Sequence, residues 1–167
     1  MALKNKFLVL VASWLLLSAG CYSFKDASID PDIRTFKVNY FENQAATINP
    51  ALSQAFTERL RDEILTQSNL DEKEQAPDVE FSGFITSYNV TAISPEAGET
   101  NSVSRLTITV KVVFTNHLNE KKSWEMSFSR YADFPADQTL TAVESQLVEE
   151  INNELADDIF KEAFVNW

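Results

Sequence analysis

The chain has 167 residues, room for one folded domain and hardly two. Its 25 acidic side chains outnumber 14 basic ones, and the net charge of −11 makes nucleic acid a poor partner, because like charges repel. One cysteine excludes an internal disulfide, and one histidine provides no Ser-His or Cys-His pair with a third group to orient it, so no enzyme is expected.

The first 20 residues differ from the rest. Lys4 and Lys6 precede an eleven-residue apolar run, Phe7–Leu17, and small residues lead to Cys21. This is the layout of an export signal, and the run is too short to remain as a spanning helix, which needs about 20 apolar residues. Ser18-Ala19-Gly20-Cys21 resembles the bacterial lipobox. The resemblance implies cleavage after Gly20 and acylation of Cys21, and two or more chains make a stable anchor. The expected organisation is a signal peptide over 1–20, a lipidated tether over 21–31 and one α/β domain over 32–167. Loss of Lys4 and Lys6 takes the charge to −13.

After the polar tether, Thr35–Phe41 alternates, with Phe36, Val38 and Tyr40 on one side, and predicts a strand. Asn49-Pro50 is a helix start, and Leu52, Phe56, Leu60 and Ile64 repeat every four residues, so the spacing predicts an amphipathic helix ending near Ser68-Asn69. Leu70–Asp78 is a charged connector. A second strand is expected over Val79–Val90, with Val79, Phe81 and Ile85 on one face. Within it Gly83 marks a bulge or a close backbone approach.

Ala92–Ser102 contains Pro95 and Gly98 and little that is apolar, and it predicts a long hairpin loop. Loops of this length in small domains often carry function, so Ser94, Pro95, Glu96, Gly98, Glu99 and Asn101 are candidate partner contacts. Val103–Thr115 places Leu106, Ile108, Val110, Val112 and Phe114 on one face and Arg105, Thr107, Thr109, Lys111 and Thr115 on the other. Asn116–Lys122 is a turn. Ser123–Tyr131 predicts a fourth strand, with Trp124, Met126 and Phe128 alternating.

From Asp137 onward, Leu140, Val143, Leu147, Ile151, Leu155 and Ile159 predict a C-terminal helix of about 25 residues, with Thr141 and Glu144 spaced as a capping box. The expected order is β-α-β-β-β-α. Each helix has one apolar stripe and the sheet one strongly apolar face. The expected fold is therefore α+β, a two-layer sandwich with both helices on one face of a four-stranded sheet.

Chemistry is sparse. His117 sits in a polar turn, Gly20, Gly83 and Gly98 are too scattered to cradle phosphate, and no acidic pair has a calcium-loop pattern. No metal and no cofactor is expected. What remains is surface recognition. Arg105, Lys111, Lys121 and Lys122 are candidate contacts for a phosphorylated glycolipid, since guanidinium and ammonium groups pair with phosphate.

Almost the whole mature chain resembles the lipopolysaccharide (LPS)-assembly lipoprotein family LptE, in its Bacteroidetes-type form. The resemblance lies in GCYSF at Gly20–Phe24, ASI at Ala27–Ile29 and NPALSQAFTERLRDE at Asn49–Glu63. It continues in SRLTITVKVVFTN at Ser104–Asn116, FSRYADFP at Phe128–Pro135 and DDIFKEAFVNW at Asp157–Trp167. It implies an outer-membrane lipoprotein on the periplasmic side that plugs and helps assemble the LptD-type barrel and takes part in LPS transport. Tyr22 rather than Asp after Cys21 is consistent with sorting to the outer membrane. The family's basic LPS-contacting positions have no match here, so direct LPS contact rests on the four basic residues named above. Two alternatives are a lipoprotein that binds lipid or glycolipid alone and a general envelope scaffold.

Overall fold

A computed structural model describes residues 29–47, 49–93 and 102–165. The elements in chain order are β1 (Thr35–Val38), β2 (Glu42–Asn43), α1 (Pro50–Gln67), β3 (Asp71–Glu72), β4 (Val79–Ile93), β5 (Val103–Asn116), a 3-10 turn (Glu120–Lys122), β6 (Trp124–Pro135) and α2 (Leu140–Phe164). The architecture is α+β, two helices and a mixed sheet. The sheet has six strands rather than the four expected, because the two-residue β2 and β3 join it. Its order is β3-β1-β4-β5-β6, with β2 beside β4. The strands β1, β2 and β3 pair in parallel, whereas β4, β5 and β6 form an antiparallel meander.

The first strand departs from simple alternation. Val38 lies opposite Phe81 and Glu42 opposite Phe84, so the β1–β2 chain spends four residues where β4 spends three. The extra residue reverses the side-chain parity. Tyr40, expected inside, is 58% exposed, and Phe41 is buried instead with its ring edge-on to Phe56 at 5.0 Å. Gly83 makes room for that ring. A Cβ there would stand 1.9 Å from the Lys111 carbonyl oxygen and 2.9 Å from the Phe41 ring, and its φ of +150° disfavours any other residue. Gly83 is thus a close-approach position, and the bulge of β4 lies farther along, between Ile85 and Ser87.

Helix α1 starts as its sequence suggests. Asn49 caps it by accepting from the Ala51 amide, Pro50 occupies the first turn, and Leu52, Phe56, Leu60 and Ile64 are fully buried. Helix α2 buries Leu147, Ile151, Leu155, Ile159 and Phe164. It begins at Leu140 and not at Asp137, because Pro135–Gln138 closes a turn first. Its capping box does not form, since Thr139 is the N-cap and makes no side-chain bond. Glu144 instead crosses to α1.

Both helices bury their stripes in one hydrophobic cluster with Phe36, Phe81, Ile85, Leu106, Ile108, Val110, Val112 and Phe114 of the sheet. Phe164 packs edge-on to Phe81 and Phe114, 6.0 and 6.1 Å between ring centres. Each fully buried side chain of this size contributes roughly 1.5–3 kcal/mol relative to exposure. No helix among the described residues is long and apolar enough to cross a membrane.

On β6, Trp124 and Phe128 are half-buried against the core but Met126 is 41% exposed, because β6 is the sheet edge and the helices cover it only in part. Its Arg130 faces the helix layer and pairs with Asp158 of α2 through two hydrogen bonds of 2.5 and 2.6 Å.

Candidate functional site

The helices cover one side of the sheet. The other side carries the polar residues of β5 with their partners on β4 and β6. Register places Asn89, Thr107 and Tyr131 in one row across the three strands, Ser87, Thr109 and Ser129 in the next, and Phe84, Lys111 and Ser127 in a third. The result is a face rich in hydroxyls, in which Thr combines strand preference with polarity. Thr109 and Ser129 bond to each other at 3.0 Å.

Arg105 and Lys111 lie on this face, and both are engaged by carboxylates of β6. Arg105 donates to both oxygens of Asp133, at 2.7 and 2.8 Å, and its guanidinium lies 3.6 Å from the centre of the Tyr131 ring. The hydrogen-bonded guanidinium lowers the Asp133 pKa, and the same bond raises that of Arg105. Lys111 pairs with Glu125 at 2.5 Å, its ammonium 5.8 Å from the Phe84 ring centre. The two cations are six residues apart on one strand, about 20 Å at 3.4 Å per residue.

Lys121 and Lys122 stand in the 3-10 turn beyond the end of β5, and Lys122 reaches Asp30 at 3.2 Å. The four basic residues therefore do not form one cluster: Arg105 and Lys111 stand apart along β5, and only Lys121 and Lys122 are neighbours. His117, in the bend just after β5, has Nε2 3.3 Å from Glu80. Cys21 and the loop residues Ser94, Pro95, Glu96, Gly98, Glu99 and Asn101 lie outside the described residues.

Sequence reasoning missed Asp133 and the role of Tyr131. The fourth strand was expected to stop at Tyr131, whereas pairing with β5 runs on to Pro135. The alternation of Ser129, Tyr131 and Asp133 was the available signal.

A second polar cluster joins the helix N-termini to the sheet. Glu144 accepts from Asn49 Nδ2 at 2.8 Å and from the Tyr88 hydroxyl. Burial first, and then the Glu144 carboxylate, push the Tyr88 hydroxyl far above its usual pKa, so it stays protonated and donates. Beside this cluster a groove of about 600 Å³ runs between α1 and α2.

Among curated proteins, none matches the chain by sequence. Among solved structures, a minor lipoprotein from Acinetobacter baumannii is similar with a TM-score of 0.52 and 14% identity, covering 80% of this chain and 94% of that one. A hypothetical protein from Chlamydia trachomatis is similar with a TM-score of 0.53 and 9% identity, covering 80% and 98%. At such identities the likeness concerns the fold alone. The LptE family, described as lipopolysaccharide-assembly, matches residues 33–162, which span β1 through most of α2 and so include both helices and the open sheet face. That family works in assembly and not in catalysis, and the chain belongs to it: a non-enzymatic LptE-family protein of lipopolysaccharide assembly.

Proposed function

We propose that the chain is an outer-membrane lipoprotein, held on the periplasmic side by acyl groups on Cys21, that plugs and helps assemble the LptD-type barrel through which LPS reaches the cell surface. In this reading residues 1–20 are the signal peptide and 21–31 the tether. The observation that carries it, beside family membership, is the uncovered sheet face. That face is polar and internally charge-paired, with Arg105 on Asp133 and Lys111 on Glu125. A barrel interior is hydrated and tolerates such a surface. The loop residues Ser94, Pro95, Glu96, Gly98, Glu99 and Asn101 are the proposed barrel contacts.

A second reading, direct LPS binding, is favoured by Arg105 lying over the exposed Tyr131 among hydroxyls, an arrangement suited to a phosphorylated sugar. Phosphate would there replace Asp133 as the partner of Arg105, and Lys111, Lys121 and Lys122 are the other proposed contacts. Binding of purified LPS that weakens in high salt and with Arg105→Glu is expected on this reading; equal binding by that variant counts against it.

Depletion of the protein tests the leading reading. LPS is expected to disappear from the cell surface while folded LptD-type barrel declines. Unchanged surface LPS after depletion contradicts the role.

A further inference from the structure

The two ends of the sheet differ. The described chain begins at the end remote from the β4–β5 connection. Ile29 packs against the core there, and Asp30 pairs with Lys122 of the 3-10 turn at 3.2 Å. The same end holds the start of β4, since Val79 lies opposite Asn116, the last residue of β5. It also holds the end of α2, whose Phe164 packs on Phe81 and Phe114.

Two exposed aliphatic side chains stand at this end: Leu118, 53% exposed, before the 3-10 turn, and Val165, 46% exposed, just past α2. The segment that carries Leu118 is braced. The buried Asn116 side chain accepts from the Leu118 and Asn119 amides, at 3.0 and 2.7 Å, and Asn119 accepts from the Lys121 amide at 3.2 Å. Tips of this kind normally carry polar residues. A single exposed leucine carries little weight, but two aliphatic groups at one end, beside the start of the chain, carry more.

Charge points the same way. Among the described lysines and arginines, only Arg34, Lys73 and Lys121 form no ion pair, and all three are exposed. Arg34 precedes β1 and Lys121 stands in the 3-10 turn, both at this end, and Lys73 follows β3, which starts opposite Thr35. Of the nearby carboxylates, Asp30 is taken by Lys122, Glu72 by Arg61, and Asp78 by the Arg34 and Thr35 amides. Asp32, Asp71 and Glu120 leave the end mixed in charge, which suits zwitterionic headgroups. The outer side of the helix layer, by contrast, exposes Glu58, Asp62, Glu149, Glu150 and Glu154.

Cys21 precedes Ile29 by eight residues, at most about 29 Å of extended chain. Acyl groups on Cys21 therefore keep this end within a short tether of the leaflet that holds them. We infer that, before a barrel encloses it, the domain docks this end on that phospholipid leaflet. Leu118 and Val165 enter the boundary between headgroups and chains, and Arg34 and Lys121 meet lipid phosphates. The inference rests on the proposed acylation of Cys21. Docking of this kind holds the far ends of β4 and β5, roughly 45 Å away along the strands, out in the periplasm.

The test uses the acylated protein reconstituted into vesicles of phosphatidylethanolamine with a minor share of phosphatidylglycerol. The thioether consumes the sulfur of Cys21, so Leu118→Cys, Val165→Cys and Val90→Cys each supply one thiol for a nitrobenzoxadiazole label. Val90 lies near the far end of β4 and is exposed. Phospholipids brominated in their acyl chains quench a label that enters the boundary. Quenching roughly threefold stronger at Leu118 and Val165 than at Val90 is expected. With the label at Val165, Leu118→Asn combined with Lys121→Glu is expected to cut the quenching by roughly half.

Equal quenching at all three positions, or none at Leu118 and Val165, overturns the inference. Quenching that appears only after LPS is added to the vesicles also overturns it, in favour of LPS contact. Flotation and intact mass are read on the same preparations. An unacylated Cys21 removes the anchor reading and the inference together, whereas acylated protein that floats without quenching removes the inference alone. No barrel is present, so the plug role is decided separately, by the depletion experiment.

Discussion

At Gly83 the backbone of β5 passes where a side chain would stand, so Gly83→Ala has no room to relax. The expected cost is about 3 kcal/mol or more, a combination of steric overlap and unfavourable φ, read as a lower midpoint in urea unfolding.

Asp78 acts through charge. Its carboxylate accepts from the amides of Arg34 and Thr35 and from the Thr35 hydroxyl, at 2.9, 2.8 and 2.9 Å. Partial desolvation works against ionisation, but these hydrogen bonds outweigh it and hold the pKa below 3.8. A carboxyl depressed in the folded state stabilises above its unfolded pKa, and the benefit fades as pH falls through the folded value. Stability of the natural protein should therefore decline more steeply below about pH 4 than that of Asp78→Asn. At pH 7 that variant should be less stable by about 1 kcal/mol, discounted for solvent screening at a half-exposed site. Parallel acid titrations of the two proteins contradict the assignment.

At the scale of elements, the helices were legible because burial imposes a spacing of three and four residues, and both stripes lie where that spacing put them. The central strand β5 was equally clear, since its helix-facing side chains alternate without a break. The short strands β2 and β3 were not legible. Two residues carry no periodicity, and each forms only because β4 and β1 offer a free backbone edge. The end of β6 was missed for a related reason: its continuation is set by pairing with β5, not by its own pattern. Glu144 misled as a capping residue because its spacing from Thr141 is correct, yet two donors, Tyr88 and Asn49, compete successfully for it. The burial of Asn152 gave no signal at all, since an asparagine in an amphipathic helix reads as surface.

Asn152 of α2 is 2% exposed and its Oδ1 has no hydrogen-bond partner, so replacing it with an isosteric apolar side chain should stabilise the helix pair. Asn152→Leu is expected to raise the unfolding free energy by about 1 kcal/mol, seen as a higher Tm. A lower Tm means that the amide is satisfied in solution. Phe56→Ala, which empties a fully buried site against Phe41, should instead cost about 3–5 kcal/mol.

For the molecule as a whole, the two sides of the sheet divide the work. One side holds the fold together through a single core, and the other stays open, polar and neutralised in the plane of the sheet. The basic residues on that face were placed correctly by alternation, but their carboxylate partners came from a neighbouring strand and could not be paired from spacing. That pairing shifts weight from phosphate binding toward contact with a hydrated protein wall.

The most direct measurement places a photo-crosslinking residue at Thr107, on the open face, and another at Ser94, in the sequence between β4 and β5, in living cells. Both are expected to capture the same large outer-membrane barrel, of LptD type, and Glu150, on the exposed side of α2, serves as a third position mapping how far the wall extends. Capture of no barrel from either Thr107 or Ser94, with the lipoprotein folded and present at normal level, contradicts the plug role.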